Sequence, residues 1–153
     1  MTRYIAIDGR GGSGKTYLSE VLGKKLNAPV IHLDKYGSDF APFVGIPVFA
    51  EVIKETKGTV VIFEGVGAFD SRLEHFNALH ILAEPPKKVR RERLKRRDIP
   101  RADRTIADWK KIDKIWSKAE KKYFSKAHRR KADIIVDTLE TESDISKIVR
   151  LFG

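Results

Sequence analysis

Gly9-Arg10-Gly11-Gly12-Ser13-Gly14-Lys15-Thr16 fits the pattern GxxxxGK[ST] at every fixed position, and its reading decides the fold. In such a loop the glycines let successive backbone N–H groups turn inward around phosphates. Lys15 then reaches the β- and γ-phosphates, and the Thr16 hydroxyl ligates Mg²⁺. The flanks supply the context the pattern requires. Tyr4-Ile5-Ala6-Ile7 ahead of it is a short apolar run of buried-strand type. Tyr17 to Leu26 behind it carries Leu18, Val21, Leu22 and Leu26 at helical spacing. Strand, loop and helix therefore follow in the order a phosphate cradle needs, and a bare turn would have no use for Lys15 and Thr16 at a helix start.

Outward from the loop, strands alternate with helices. Pro29 to Asp34, Thr59 to Glu64, Ala78 to Ala83 and Ala132 to Asp137 read as strands, and the second and third strands of the chain end in the carboxylates Asp34 and Glu64. Residues 35–46 mix Gly37, Pro42 and Gly45 with Tyr36, Phe40 and Phe43, which suits an ordered loop with aromatic faces and marks it as the acceptor pocket. Pro47 opens a short helix that Lys57-Gly58 stops. Phe69 to Phe76 reads as another short helix. Lys87 to Asp98 reads as helical, with a break at Ile99-Pro100. Thr105 to Arg129 reads as one long helix whose Ile106, Trp109, Ile112, Trp116, Ala119, Tyr123 and Ala127 form a core-packing stripe. Ser143 to Leu151 closes the chain, with Thr141 and Asp144 as a capping pair. This alternation implies an α/β protein: a parallel sheet, helices on both faces, and ligands outside the carboxyl ends of the strands.

The 153 residues suit one domain over 1–153, able to bury about two thirds of its unfolded surface. With no cysteine there is neither a disulfide framework nor a thiolate metal site, and the cytoplasm is the default compartment. No apolar run is long enough to span a bilayer. The net charge of +10 is unevenly placed: Lys87 to Lys131 holds 20 lysines and arginines against 6 acids, leaving 11 against 15 elsewhere. A basic segment beside a phosphate site suits a kinase, whose substrates and transition state are anionic, and suits nucleic-acid binding as well.

Phosphoryl transfer from ATP needs a cradle, a metal, a group to deprotonate the acceptor, and cations on the moving phosphoryl group. Gly9 to Thr16 is the cradle. Asp34 is placed as general base toward an acceptor hydroxyl. Glu64, after four apolar residues, is placed to hold Mg²⁺ together with Thr16. Asp8 is expected to fix the loop backbone, and His32 to be packed or hydrogen-bonded. Arg90, Arg93, Arg97, Arg101 and Arg104 stand in the basic segment, the first three on one helix face. Their planar, permanently charged forks suit phosphate oxygens.

Ile5 to Thr16, Leu33-Asp34, Phe63-Glu64-Gly65-Val66-Gly67, Arg96-Arg97-Asp98, and Trp109 to Phe124 followed by Ala132 to Asp137 together resemble the uridine-kinase-like branch of the P-loop nucleoside and nucleotide kinases. The resemblance spans most of the chain. It implies a three-layer P-loop fold with a five-stranded parallel sheet in the order 2-3-1-4-5 and a basic helical lid over about 87–104. It also implies MgATP on Lys15 and Thr16, Asp34 as the acceptor-activating base, Glu64 near Mg²⁺, and Arg93, Arg97 and Arg101 as lid arginines. The adenine would sit between the lid and the loop after the fifth strand, near Asp137 to Glu140. Two departures stand out. Lys35-Tyr36-Gly37 follows the base, with only residues 35–58 before the next strand, so the acceptor pocket is reduced. The lid shows Ile99-Pro100-Arg101-Ala102-Asp103-Arg104 where the family has an Arg-Gly-Arg turn. Three functions follow from these residues: a kinase for a nucleoside-like small acceptor held by Asp34, Tyr36, Phe40 and Phe43; a polynucleotide 5′-hydroxyl kinase using the basic segment; and an ATP-binding module without an acceptor.

Overall fold

Side-chain alternation along the strands decides which helices each face of the sheet receives. The computed structural model describes residues 1–37, 42–101 and 106–153. Its elements run β1 (Arg3–Gly9), α1 (Lys15–Leu26), β2 (Val30–His32), α2 (Ile46–Glu55), β3 (Val60–Glu64), β4 (Leu79–Ala83), α3 (Lys87–Arg101), α4 (Ile106–Tyr123), α5 (Lys126–Arg130), β5 (Ile134–Val136) and α6 (Thr141–Phe152). All strand pairs are parallel, in the order β2-β3-β1-β4-β5 that the resemblance implies.

Ile5 and Ile7 of β1 point to the face covered by α1 and α6, where they join Leu18, Leu22, Ile62, Ile81, Ile145 and Ile148. Ala6 points the other way, among Phe49 and Ile53 of α2, Phe63, Phe69 and Leu73. Each face is sealed by side chains two residues apart, so a one-residue slip would reverse both. The register pairs Ile7 with Glu64, His32 with Glu64, and Gly9 with Ala83. It therefore brings the phosphate loop, Glu64 and the end of β2 to one carboxyl edge.

Several elements differ from the sequence reading. β2 stops at His32, and Asp34 lies in a 3₁₀ turn over Leu33–Lys35, past the sheet edge. Residues 69–76 give only a 3₁₀ turn over Ser71–Phe76, held at its start by Asp70 accepting from the Arg72 N–H. Helix α3 continues through Ile99-Pro100 and ends at Arg101. Proline loses a hydrogen bond and crowds the carbonyl four residues back, and near a helix end the loss falls on the last turn. The expected long helix is two: α4 ends at Tyr123, and Ser125 caps α5 by accepting from the His128 N–H. Thr141 and Asp144 form no capping pair, because Asp144 is buried and its Oδ2 accepts from the Thr138 N–H instead. Burial pushes the Asp144 carboxyl above its ordinary range, and nearby Asp137 adds to this.

Candidate active site

The loop between β1 and α1 owes its shape to two glycines in left-handed conformations, Gly12 at φ 77° and Gly14 at φ 84°. A Cβ on Gly12 would lie 2.5 Å from the Arg90 carbonyl, and one on Gly14 would lie 2.9 Å from the Arg93 guanidinium. Backbone and space therefore both demand glycine, and the space is filled by α3. Lys15 Nζ donates to the Arg10 carbonyl at 3.3 Å, so the ammonium is folded back across the loop it serves. The Ser13 hydroxyl is buried without a partner among the described residues. Arg90 is buried against the loop, donating to the Gly11 carbonyl at 3.4 Å and facing Glu120 at 3.7 Å, while Glu120 accepts from the Gly11 N–H at 3.0 Å. Burial lowers the Arg90 pKa, and Glu120 opposes that shift.

Asp8, fully buried, ties this loop to the rest of the edge. Its Oδ1 accepts from the Gly9 N–H at 2.7 Å and the Gly67 N–H at 3.4 Å. Its Oδ2 accepts from the Phe69 N–H at 3.0 Å, from the Tyr123 hydroxyl at 2.6 Å, and lies 3.2 Å from His128 Nε2. The expected role of fixing the loop backbone is thus met by Gly9, with α4 and α5 recruited as well. Burial, with the Asp8 carboxylate beside it, raises the Tyr123 pKa and keeps the phenol protonated.

Glu64 is buried at the carboxyl end of β3. Its Oε1 lies 2.6 Å from His32 Nδ1 and 3.5 Å from Thr16 Oγ1, and its Oε2 is buried with no partner among the described residues. A carboxylate oriented by a histidine, with one oxygen beside a threonine hydroxyl and the other orphaned, is a hard oxygen site that fits Mg²⁺. Among the described residues no group of three His, Cys, Asp or Glu side chains could hold a metal alone. Mg²⁺ held by one carboxylate and substrate phosphates needs none. His32 Nε2 also meets Glu20 at 2.7 Å. The hydrogen bond to Glu64 raises the His32 pKa above 6.5 despite some desolvation. The stabilisation is therefore complete below pH 6.5 and fades as pH rises through the higher folded-state value. His32→Gln should lower stability on the order of 1 kcal/mol on the acidic side, since Glu20 is half exposed, and the gap should narrow at alkaline pH. Melting curves of both proteins across that range check this; a pH-independent gap would remove the charged pair.

Arg93 donates from Nη1 to the Thr138 hydroxyl at 2.8 Å and from Nη2 to the Thr138 carbonyl at 2.9 Å. Thr138 in turn donates to the Ser13 carbonyl at 2.6 Å. Gly14, Tyr17, Arg93, Thr138 and Thr141 line a cavity of about 360 Å³ between α3 and the segment after β5. Arg97 lines a smaller cavity of about 100 Å³ with Gly11, Val66, Leu94, Trp109 and Trp116, between the loop and helices α3 and α4. Of the expected core stripe, Trp109 is buried and Trp116 and Tyr123 are half-buried, whereas Ala119 and Ala127 are exposed, so the stripe packs as core only in part.

Asp34 is exposed and has no hydrogen-bond or ion-pair partner among the described residues. Tyr36 packs toward Phe49 with ring centres 6.0 Å apart, and Phe43 toward Tyr123 at 4.9 Å. Both lean on the core and are only partly available to an acceptor. Phe40 and Arg104 lie outside the described residues, and Arg101 is described only as the last residue of α3. Sequence reasoning did not assign Glu120, Thr138, Tyr123 or His128 to the site. No motif marks them, because each reaches the loop from a distant element.

The sequence matches no protein-family model and no curated protein. Solved structures do match. Shikimate kinase from Bacteroides thetaiotaomicron is 22% identical with a TM-score of 0.64, covering 98% of each chain. A gluconokinase from Sinorhizobium meliloti is 14% identical with a TM-score of 0.68, covering 97% of this chain and 93% of its own. Deoxyadenosine kinase from M. mycoides with bound dATP is 14% identical with a TM-score of 0.59, covering 97% and 98%. The chain thus has the α/β fold of P-loop kinases, carrying the phosphate-loop sequence that gives the fold its name.

Proposed function

We propose that this chain is an ATP-dependent phosphotransferase that moves the γ-phosphoryl group to a hydroxyl of a small, nucleoside-like acceptor. The observation that carries this reading is Glu64 at the foot of a GxxxxGK[ST] loop, its Oε1 3.5 Å from the Thr16 hydroxyl and its Oε2 buried without a partner among the described residues, on the edge where Asp34 also emerges with no partner among those residues. Mg²⁺ held there would neutralise the charge developing between the β- and γ-phosphates. Loop N–H groups and Lys15 hold the triphosphate, and the cavity beside Thr138 takes the base. Asp34 accepts the proton of the acceptor hydroxyl as its oxygen attacks phosphorus and the bond to the β-phosphate oxygen breaks, releasing ADP. Arg97 and Arg101 stand on α3 as candidate cations for the transferring group. Arg93, bound to Thr138, positions the base side of the site. The named acceptors of the structural neighbours, shikimate and deoxyadenosine among them, favour a small hydroxyl compound. Such chemistry belongs in the cytoplasm, and among the described residues no helix is long and apolar enough to cross a membrane.

Transfer of labelled phosphate from MgATP to a panel of nucleosides, nucleotides, shikimate and 5′-hydroxyl oligonucleotides tests the reading. A labelled product should form, and Asp34→Asn should slow it by about 10²–10⁴. Unchanged transfer in Asp34→Asn removes the base. The +14 segment favours a polynucleotide as the second reading. In that case the oligonucleotide is the product and its formation falls steeply with salt.

A further inference from the structure

Beside the phosphate loop, on the β4 side, a second cavity of about 620 Å³ opens between the end of β4, the start of α3, the last turn of α4 and α5. Its size lies within the range of small-molecule sites, ~300–1,000 Å³. The kinase reading makes no use of it.

Its lining is strongly cationic. Arg10, Lys87, Lys121 and Lys126 contribute to it, and none of them has a carboxylate partner among the described residues. The only carboxylate lining it among those residues, Glu84, is already held by Arg129 at 3.2 and 3.3 Å. Gathering uncompensated cations around a concave surface costs free energy that an anion would recover. Part of the wall is apolar, with Leu82, Pro85 and the ring of Phe124, over which Arg10 lies at 5.3 Å, and Ser117 and Ser125 add polar surface.

A second and independent feature is His128. It is 6% exposed, and its ring is fixed against Phe69, Tyr123 and Phe124. Nε2 faces the Asp8 carboxylate, an acceptor only, so Nε2 carries a proton and donates. That leaves Nδ1, the other nitrogen of a ring that lines the cavity, buried with no partner among the described residues. A buried polar atom left in this state is unfavourable until something meets it.

We propose that this cavity binds a small organic phosphomonoester, with the phosphate on Arg10, Lys87, Lys121 and Lys126 and one P–O(H) group on His128 Nδ1. A phosphomonoester satisfies both features at once. It brings close to two negative charges, and near neutral pH it exchanges between P–OH and P–O⁻. One hydrogen bond to Nδ1 thus forms whether the proton sits on oxygen or on nitrogen. A bare extended polyanion would meet the surface lysines and leave the apolar wall and Nδ1 unused. The bound group would touch Arg10 of the loop directly and, through His128 and Asp8, the Gly9 N–H. Occupancy would therefore alter the affinity for MgATP.

Titration of 5′-AMP into the full chain carrying Lys15→Ala, followed by calorimetry and by the ¹⁵N resonances of the His128 ring, tests the proposal apart from the kinase reading. AMP should bind, adenosine at least about tenfold more weakly, and the His128 Nδ1 resonance should move. Lys121→Glu/Lys126→Glu, two exposed positions outside the proposed catalytic machinery, should weaken AMP by at least about tenfold with the melting temperature retained. No binding, binding indifferent to the two reversals, or an unmoved His128 resonance would overturn it. So would binding confined to a 5′-phosphorylated oligonucleotide with a steep salt dependence, which would make this face a nucleic-acid surface. If AMP binds here while wild-type protein phosphorylates no acceptor, only the kinase reading falls.

Discussion

Replacing Lys15 by alanine should reduce phosphoryl transfer by at least about 10²–10³, the loss expected when one preorganised charge is removed from the developing transition-state charge. The fold should be untouched. The ammonium makes one long hydrogen bond, 3.3 Å to the Arg10 carbonyl, and its removal strips no buried group of a partner. The same substitution should abolish nucleotide protection. MgATP at a hundred times its dissociation constant stabilises the wild-type chain by about 2.7 kcal/mol, and the variant should show little of that. The two readouts separate the causes. Lost transfer with a normal melting temperature and no MgATP shift assigns Lys15 to the triphosphate. Transfer at the wild-type rate would mean that the loop does not hold the reacting phosphates.

Asp8→Ala should be the most destabilising single change in the chain's polar interior, by about 3–5 kcal/mol, because it leaves buried donors from four elements without an acceptor. The N–H groups of Gly9, Gly67 and Phe69, the Tyr123 hydroxyl and His128 Nε2 all converge on this one fully buried carboxylate. In a chain of this size that corresponds to a fall in melting temperature on the order of 10 °C. Asp8→Asn keeps the volume and one acceptor oxygen but turns an NH₂ group toward donors, so its loss should be smaller yet clear. Tyr123→Phe removes a single donor and should cost about 1 kcal/mol, in line with an ordinary hydrogen bond. A loss below 1 kcal/mol for Asp8→Ala would mean that the five donors find water or each other.

The aromatic loop after β2 shows where sequence and structure part. Tyr36 and Phe43 read as an acceptor pocket because aromatics between glycines and a proline suggest a binding loop. In the fold both rings lean on the core, Tyr36 on Phe49 and Phe43 on Tyr123. Exposure is a property of what lies opposite a side chain, and for Phe43 that is a helix 80 residues further on. The arginines of α3 behave likewise. Their helical spacing was visible, but not that Arg90 and Arg93 would be drawn onto Gly11 and Thr138.

The sequence by itself determined what is encoded between near neighbours. The phosphate loop is eight contiguous residues whose backbone angles follow from its glycines, and each strand is a short apolar run whose period is its own signal. Parallel pairing and the gathering of the loop, Glu64 and Asp34 at one edge follow from the strand–helix alternation. Only the tertiary structure decided which groups share a carboxylate. Asp8 meets Tyr123 and His128 across 115 and 120 residues, His32 meets Glu64 across 32, and Thr138 meets Ser13 across 125. Such pairs are selected by burial. A polar group taken out of water must find a partner among whatever the packing of apolar faces brings beside it, and no local pattern in the chain records which partner that will be.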